Sequence, residues 1–186
     1  MSRTELIAKV MEVLARARAK EPSCEEQELL SIAMDAILFI ASTGQRYAFE
    51  DFRKHLASNA LPEVVATFNT RAEADAWLSN HPEPPDSTFV LIAGKYHIVF
   101  YRRETNLRRM IPDPVLEFHL GRLKRGGLPP VMASFNTRKE ADAWLGNQTE
   151  PLEQAVILIA GEPYLAAHYR NVNYRAIYPF SMAVEY

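Results

Sequence analysis

Five histidines, at 55, 81, 97, 119 and 168, and a single cysteine, Cys24, are the first residues of this 186-residue chain to test for chemistry. No two of the histidines stand at metal-ligand spacing. The chain has no Gly-x-Ser-x-Gly elbow, no P-loop, no Gly-x-Gly-x-x-Gly and no His-Glu-x-x-His. Glu50, Asp51 and His55 are helical neighbours and would be the first suspects for proton transfer, but such trios are common on solvated helices. Cys24 opens a helix, where a thiol pKa can be lowered, yet no histidine lies nearby in sequence to serve it as a base. The expectation is a protein that is not an enzyme and uses no cofactor and no metal.

Arginine and tyrosine give a second kind of signal. Tyr101-Arg102 matches Tyr169-Arg170, Asn106 matches Asn173 and Arg108 matches Arg175, if one residue of slippage is allowed in each hairpin. Both types are favoured at protein interfaces, so Tyr101, Arg102, Arg108, Tyr169, Arg170 and Arg175 are the candidate partner-binding residues, facing an acidic partner. The structural alternative puts the two asparagines at left-handed turn positions and the arginines on a solvated face or against Glu73 and Glu140. RRETNLRR, from Arg102, is also locally basic, with Lys124 and Arg125 not far along the chain. This supports an alternative, a small-ligand or nucleic-acid-binding sensor acting through the first basic hairpin.

These residues hang on a duplicated scaffold. FNTRAEADAWL from Phe68 returns as FNTRKEADAWL from Phe135, 67 residues later. VVATF and VMASF read as strands, and Thr70 with Glu73, then Thr137 with Glu140, read as capping boxes opening helices. Trp77 and Trp144 are expected to be the main knobs of those helices, buried against their sheets. TFVLIAG and AVILIAG follow as strands, then an aromatic-rich strand, then LRRMIP and YRAIYPF. Gly94-Lys95 fits a two-residue turn, whereas Gly161-Glu162-Pro163 reads as one residue longer.

The fold expected is α+β: an N-terminal helical region followed by two tandem β-α-β-β-β modules joined by a helix, with mainly antiparallel sheets. About three helices occupy 1–60, the first module 61–112, the connecting helix 113–127 and the second module 128–186. Ser2 with Glu5 and Ser23 with Glu26 read as further capping boxes, and Gly44 as a helix stop. The second helix, apolar on most sides, is expected to be the central one. Each module, at about 50 residues, is marginal alone, so the two should pack on each other or on the helical region.

Composition sets outer bounds. With 48% hydrophobic residues the chain can bury a real core, and a net charge of -2 argues against an electrostatically driven nucleic-acid binder. One cysteine cannot form an internal disulfide, which points to the cytoplasm. The charged N-terminus is unlike a secretory signal, and the most apolar run, Leu29 to Ala41, is too short to span a bilayer. No membrane segment is expected, and a homo-oligomer is open.

Over nearly every residue the chain resembles a group of uncharacterised, paralogous bacterial proteins. The phrases that carry the resemblance are STGQRYAFEDFR from Ser42, the two FNTR-x-EADAWL units and the YR-to-YP ending around Tyr169 to Pro179. The group has no established activity, so the resemblance implies architecture and no catalytic residue. Families of many diverging copies look like immunity proteins that neutralise a cognate toxin. Module 1 departs at Arg109 and Met110, where module 2 has Ala176 and Ile177, so the modules need not share one surface role. The expected function is a non-enzymatic protein-interaction module, with an immunity protein or toxin inhibitor as its most concrete form.

Overall fold

A computed structural model describes residues 3–148 and 153–184. The chain divides into two compact units, 1–59 and 60–186.

The first unit is helical: α1 (Arg3–Lys20), α2 (Cys24–Ser42) and α3 (Arg46–Ala57). The Ser2 half of the first expected capping box lies outside the described residues. At α2 the Ser23 hydroxyl accepts from the Glu26 N–H at 3.4 Å. The return bond comes from Glu21 instead, whose carboxylate accepts from the Ser23 N–H at 3.1 Å. The Glu21 carboxyl, by hydrogen bond and then by charge, raises the Glu26 pKa. Thr43 and left-handed Gly44 end α2. α2 is the central helix, packing with both α1 and α3, yet none of its residues is buried, and Leu29 and Phe39 are each 60% exposed. The cause is a shortage of neighbours, because α1 covers only one flank and α3 departs at 118°. No single helix among the described residues is long and apolar enough to cross a membrane.

The second unit is α+β and holds both modules. Module 1 runs β1 (Val64–Phe68), α4 (Arg71–Asn80), β2 (Phe89–Ile92), β3 (Lys95–Arg102) and β4 (Leu107–Pro112). After α5 (Val115–Arg125), module 2 repeats it as β5 (Val131–Phe135), α6 (Arg138–Gly146), β6 (Gln154–Ile159), β7 (Glu162–Tyr169) and β8 (Tyr174–Pro179). Each forms a four-stranded sheet in chain order, with its first pair parallel and the other two antiparallel.

The repeated phrase is the joint from strand to helix. Thr70 and Thr137 each accept from the N–H three residues on, at 3.2 and 3.3 Å. Only Thr137 has a full capping box, since Glu140 reaches the N–H of Thr137 as well as that of Asn136; Glu73 reaches Asn69 alone among these donors. Ala74 and Leu78 of α4 lie on Val90, Ile92, Val99 and Met110 of their sheet. Ala141 and Leu145 of α6 do the same on Ile157, Ile159, Ala166 and Ile177. The tryptophans are not the main knobs expected. Both are half-buried at the rim, with ring centroids 5.6 and 5.5 Å from Phe68 and Phe135, because Ala and Leu hold the central helical positions.

The hairpins also correct the sequence expectation. Ile92 faces Lys95 and Ile159 faces Glu162, so the turns are Ala93-Gly94 and Ala160-Gly161. All four turn residues have positive φ, the mirror-image turn that suits the twist of paired strands. The turns are equal in length, and the 67-residue offset runs through both modules without slippage. Pro163 lies beyond the end of β8, whose last partner is Tyr164 with Pro179, so its missing N–H breaks no bond to β8.

The sheets turn their other faces to a shared core. Val64, Leu91 and Tyr96 of module 1 meet Val156, Leu165, Tyr169 and Tyr178 of module 2, with Leu116, Leu120 and Leu123 of α5 completing the cluster. A register shift between Val64 and Ala66 sends these residues to opposite faces. Asp113 caps α5 by accepting from the Val115 N–H at 2.9 Å, and left-handed Gly127 follows its end.

Candidate protein-binding surface

Restoring the 67-residue register changes which residues are equivalent. Tyr101 corresponds to His168, and Arg102 corresponds to Tyr169. Tyr101 faces Arg108 across β3 and β4, as His168 faces Arg175 across β7 and β8. The matched residues Asn106 and Asn173 are left-handed, each closing a one-turn 3-10 helix, Arg103–Thr105 and Arg170–Val172.

Three of the six candidates are taken up by structure. Tyr169 is 5% exposed, in the shared core, out of reach of a partner. Its hydroxyl lies 3.1 Å from that of Tyr96 and 3.2 Å from that of Tyr178, while Tyr96 donates to the Pro62 carbonyl at 2.8 Å. Each phenol has one proton, so Tyr178 donates to Tyr169, Tyr169 to Tyr96 and Tyr96 to the backbone. Burial, above all, pushes the pKa of all three phenols up.

Arg108 closes the end of α4. Its guanidinium donates to the carbonyls of Leu78 (2.8 Å), Ser79 (3.0 Å), His81 (2.7 Å) and Pro82 (3.2 Å), and to Asn106 Oδ1 (2.9 Å). These carbonyls form the negative end of the helix dipole, where a cation is favoured. Arg175 does the same for α6, reaching the carbonyls of Gly146 (3.1 Å) and Gln148 (3.4 Å). The alternative role expected for these arginines, pairing with Glu73 and Glu140, does not occur, since both glutamates face the N-terminal ends of their helices.

Tyr101, Arg102 and Arg170 remain. Arg170 is exposed beside Glu153, at 4.0 Å. Tyr101 is half-buried, with the Arg108 guanidinium 5.6 Å from its ring centre. Arg102 is exposed, and its guanidinium lies 5.8 Å from the ring centre of half-buried Phe100. Phe100, Tyr101 and Arg102 line an open cleft of about 610 Å³ with Arg103, Glu104, Glu83 and Asp86, and Arg170 is not part of it. Its lining is held by specific bonds. The Asp86 carboxylate accepts from the Tyr101 N–H at 2.7 Å and from the Ser87 hydroxyl at 3.0 Å, which lowers its pKa. Arg103 pairs with Glu83 at 2.6 Å, and the pair raises the Arg103 pKa.

No known protein family, curated protein or solved structure matches this chain.

Phe100 was not among the residues the sequence singled out, although it shares a strand face with Arg102; the period-two alternation of β3 was the available signal. The helical trio leads elsewhere: Asp51 and Glu50 both approach Lys54 on their own helix, at 3.1 and 3.9 Å. His119 is 4% exposed between Gln154 (3.0 Å) and Arg122 (2.9 Å), and burial, followed by the Arg122 charge, lowers its pKa to about 4. Among the described residues no group of three or more His, Cys, Asp or Glu side chains could hold a metal ion.

Proposed function

We propose that the chain is a non-enzymatic interaction protein and that the module 1 cleft around Phe100, Tyr101 and Arg102 receives a protein partner. The observation that carries this is a difference between equivalent strand ends. In module 2 Ala167 and Tyr169 are buried in the shared core, at 2% and 5% exposure. In module 1 the corresponding Phe100 is half-buried and Arg102 exposed, over a cleft braced by Asp86 and the Arg103–Glu83 pair. One copy of the strand end holds the modules together; the other is free to present an aromatic ring under a guanidinium. That pair suits an acidic or aromatic side chain of a partner, and it stands on a rigid β-scaffold.

The most concrete partner is a toxin that the protein neutralises in the cytoplasm, a reading supported by the duplicated scaffold with divergent strand ends. The alternative of a nucleic-acid sensor on the same hairpin is weakened because Arg108 is committed to the end of α4.

The test is co-expression with the product of an adjacent gene, followed by titration of the purified pair. Arg102→Glu should weaken binding at least tenfold with an unchanged circular dichroism spectrum, while Lys139→Glu, at an exposed position of α6, should leave it intact. Equal binding by both variants, or no binding by the parent, would remove the proposal.

A further inference from the structure

The three-helix unit carries an apolar surface larger than a solvated face requires. Of its described side chains from Leu6 to Asn59, none is buried. On α2 the exposed residues Leu29, Ile32, Ala36 and Phe39 recur at spacings of three, four and three, a seam of about three turns of the kind that pairs helices. The half-buried residues Leu30, Met34, Ile37 and Ala41 lie on the opposite side of the helix, and α1 packs on α2. The seam therefore has no cover within the unit.

We infer that this seam is a dimer interface, filled by α2 of a second copy running antiparallel. The proposal is independent of the module 1 cleft. Three observations favour this occupant. The first is self-complementarity: an antiparallel pair centred between Ile32 and Ala36 sets Ile32 against the partner's Ala36 and Leu29 against its Phe39, large against small along the middle. A twofold axis requires such reciprocity.

The second is charge. α2 carries Glu25, Glu26, Glu28 and Asp35 and not one basic residue. A parallel pair would bring two acidic first turns together. An antiparallel pair leaves only the two Asp35 carboxylates near the axis, separates the first turns and places each near the partner's turn into α3, where Arg46 begins the next helix. The same acidity disfavours an anionic lipid surface, which takes amphipathic helices with lysine and arginine on their polar face.

The third is area. On the seam itself Leu29, Ile32 and Phe39 are exposed by 55% to 60%. Their apolar surface is on the order of 300 Å², against roughly 800 Å² per partner in a standard stable interface, so side chains flanking the seam on the α1–α2 hairpin supply the remainder. A single unsupported pair of helices would not hold; two α1–α2 hairpins joined through α2 make a four-helix arrangement with a buried centre.

The experiment is sedimentation equilibrium of the full chain over a hundredfold concentration range. The parent should sediment at twice the 21.1 kDa of one chain. Ile32→Glu with Phe39→Glu should sediment as a monomer with its β-sheet spectrum unchanged, since both side chains are already exposed in one copy. For orientation, Cys24 is exposed at the start of α2 and serves as a native reporter. Mild oxidation should leave the dimer without a Cys24–Cys24 disulfide, because antiparallel helices hold these ends apart, and rapid disulfide formation would overturn the orientation. A parent that is monomeric at every concentration, or a double variant that stays dimeric, would overturn the interface itself.

Discussion

Arg108 shows how one side chain can look like an interface residue and act as a structural one. Sequence reading placed it with Tyr101 and Arg102 because all three sit near a hairpin and recur in type. Its guanidinium instead gathers the last carbonyls of α4. Hydrogen bonds from a charged donor contribute about 1.5 to 3 kcal/mol each at best, and partial solvation reduces the total. Arg108→Ala should therefore destabilise the second unit by about 2 kcal/mol, read as a shift in urea midpoint at constant slope. Arg175→Ala, with two longer bonds, should cost less. Arg102→Ala should cost almost nothing, because its side chain is exposed. If Arg108→Ala and Arg102→Ala proved equally harmless, the closing of α4 by Arg108 would be ornamental.

At the level of elements, most strands and helices were legible because their signals are local. LRRMIP, VVATF and VMASF are β4, β1 and β5 to the residue, and the Thr caps mark α4 and α6. The hairpin turns were not, since Ala at positive φ is costly and no propensity rule proposes it. Reading Pro163 as part of a longer second turn offset the two modules by one residue, and that offset matched Tyr169 to Tyr101 and put it in the candidate site instead of the core. The exposure of α2 was also hidden: an all-round apolar sequence says that a helix must be covered, but not that the cover is missing from its own unit. The two alanine turns give a test at this scale. Asn tolerates the left-handed region and is preferred at the first position of such turns. Ala93→Asn and Ala160→Asn should each stabilise by about 0.5 to 1 kcal/mol, seen as a higher urea midpoint. Lower midpoints in both would mean that the turns are of another type.

At the scale of the molecule, the second unit is two copies of one module held face to face through a core that contains a chain of three phenols. That core gives the unit an alkaline limit. The native pKa of Tyr96, Tyr169 and Tyr178 is raised, so the folded unit binds more protons than the unfolded chain once pH exceeds the ordinary tyrosine value. Their stabilisation is fully present below pH of about 10 and is lost as pH rises beyond it, by up to about 4 kcal/mol per pH unit for three phenols. Tyr178→Phe should reduce that slope by about a third, and an unchanged slope would mean that the phenols ionise in place. The same pairing of modules leaves one strand end buried and its equivalent open, and on that difference rests the claim that the chain binds a protein through module 1. The most direct measurement of it is photo-crosslinking in producing cells, with a photoreactive phenylalanine analogue at position 102 or, as control, at position 139. The account predicts one discrete adduct at 102, displaced by excess parent protein, and none at 139; no adduct at 102, or the same adduct from both positions, would contradict it.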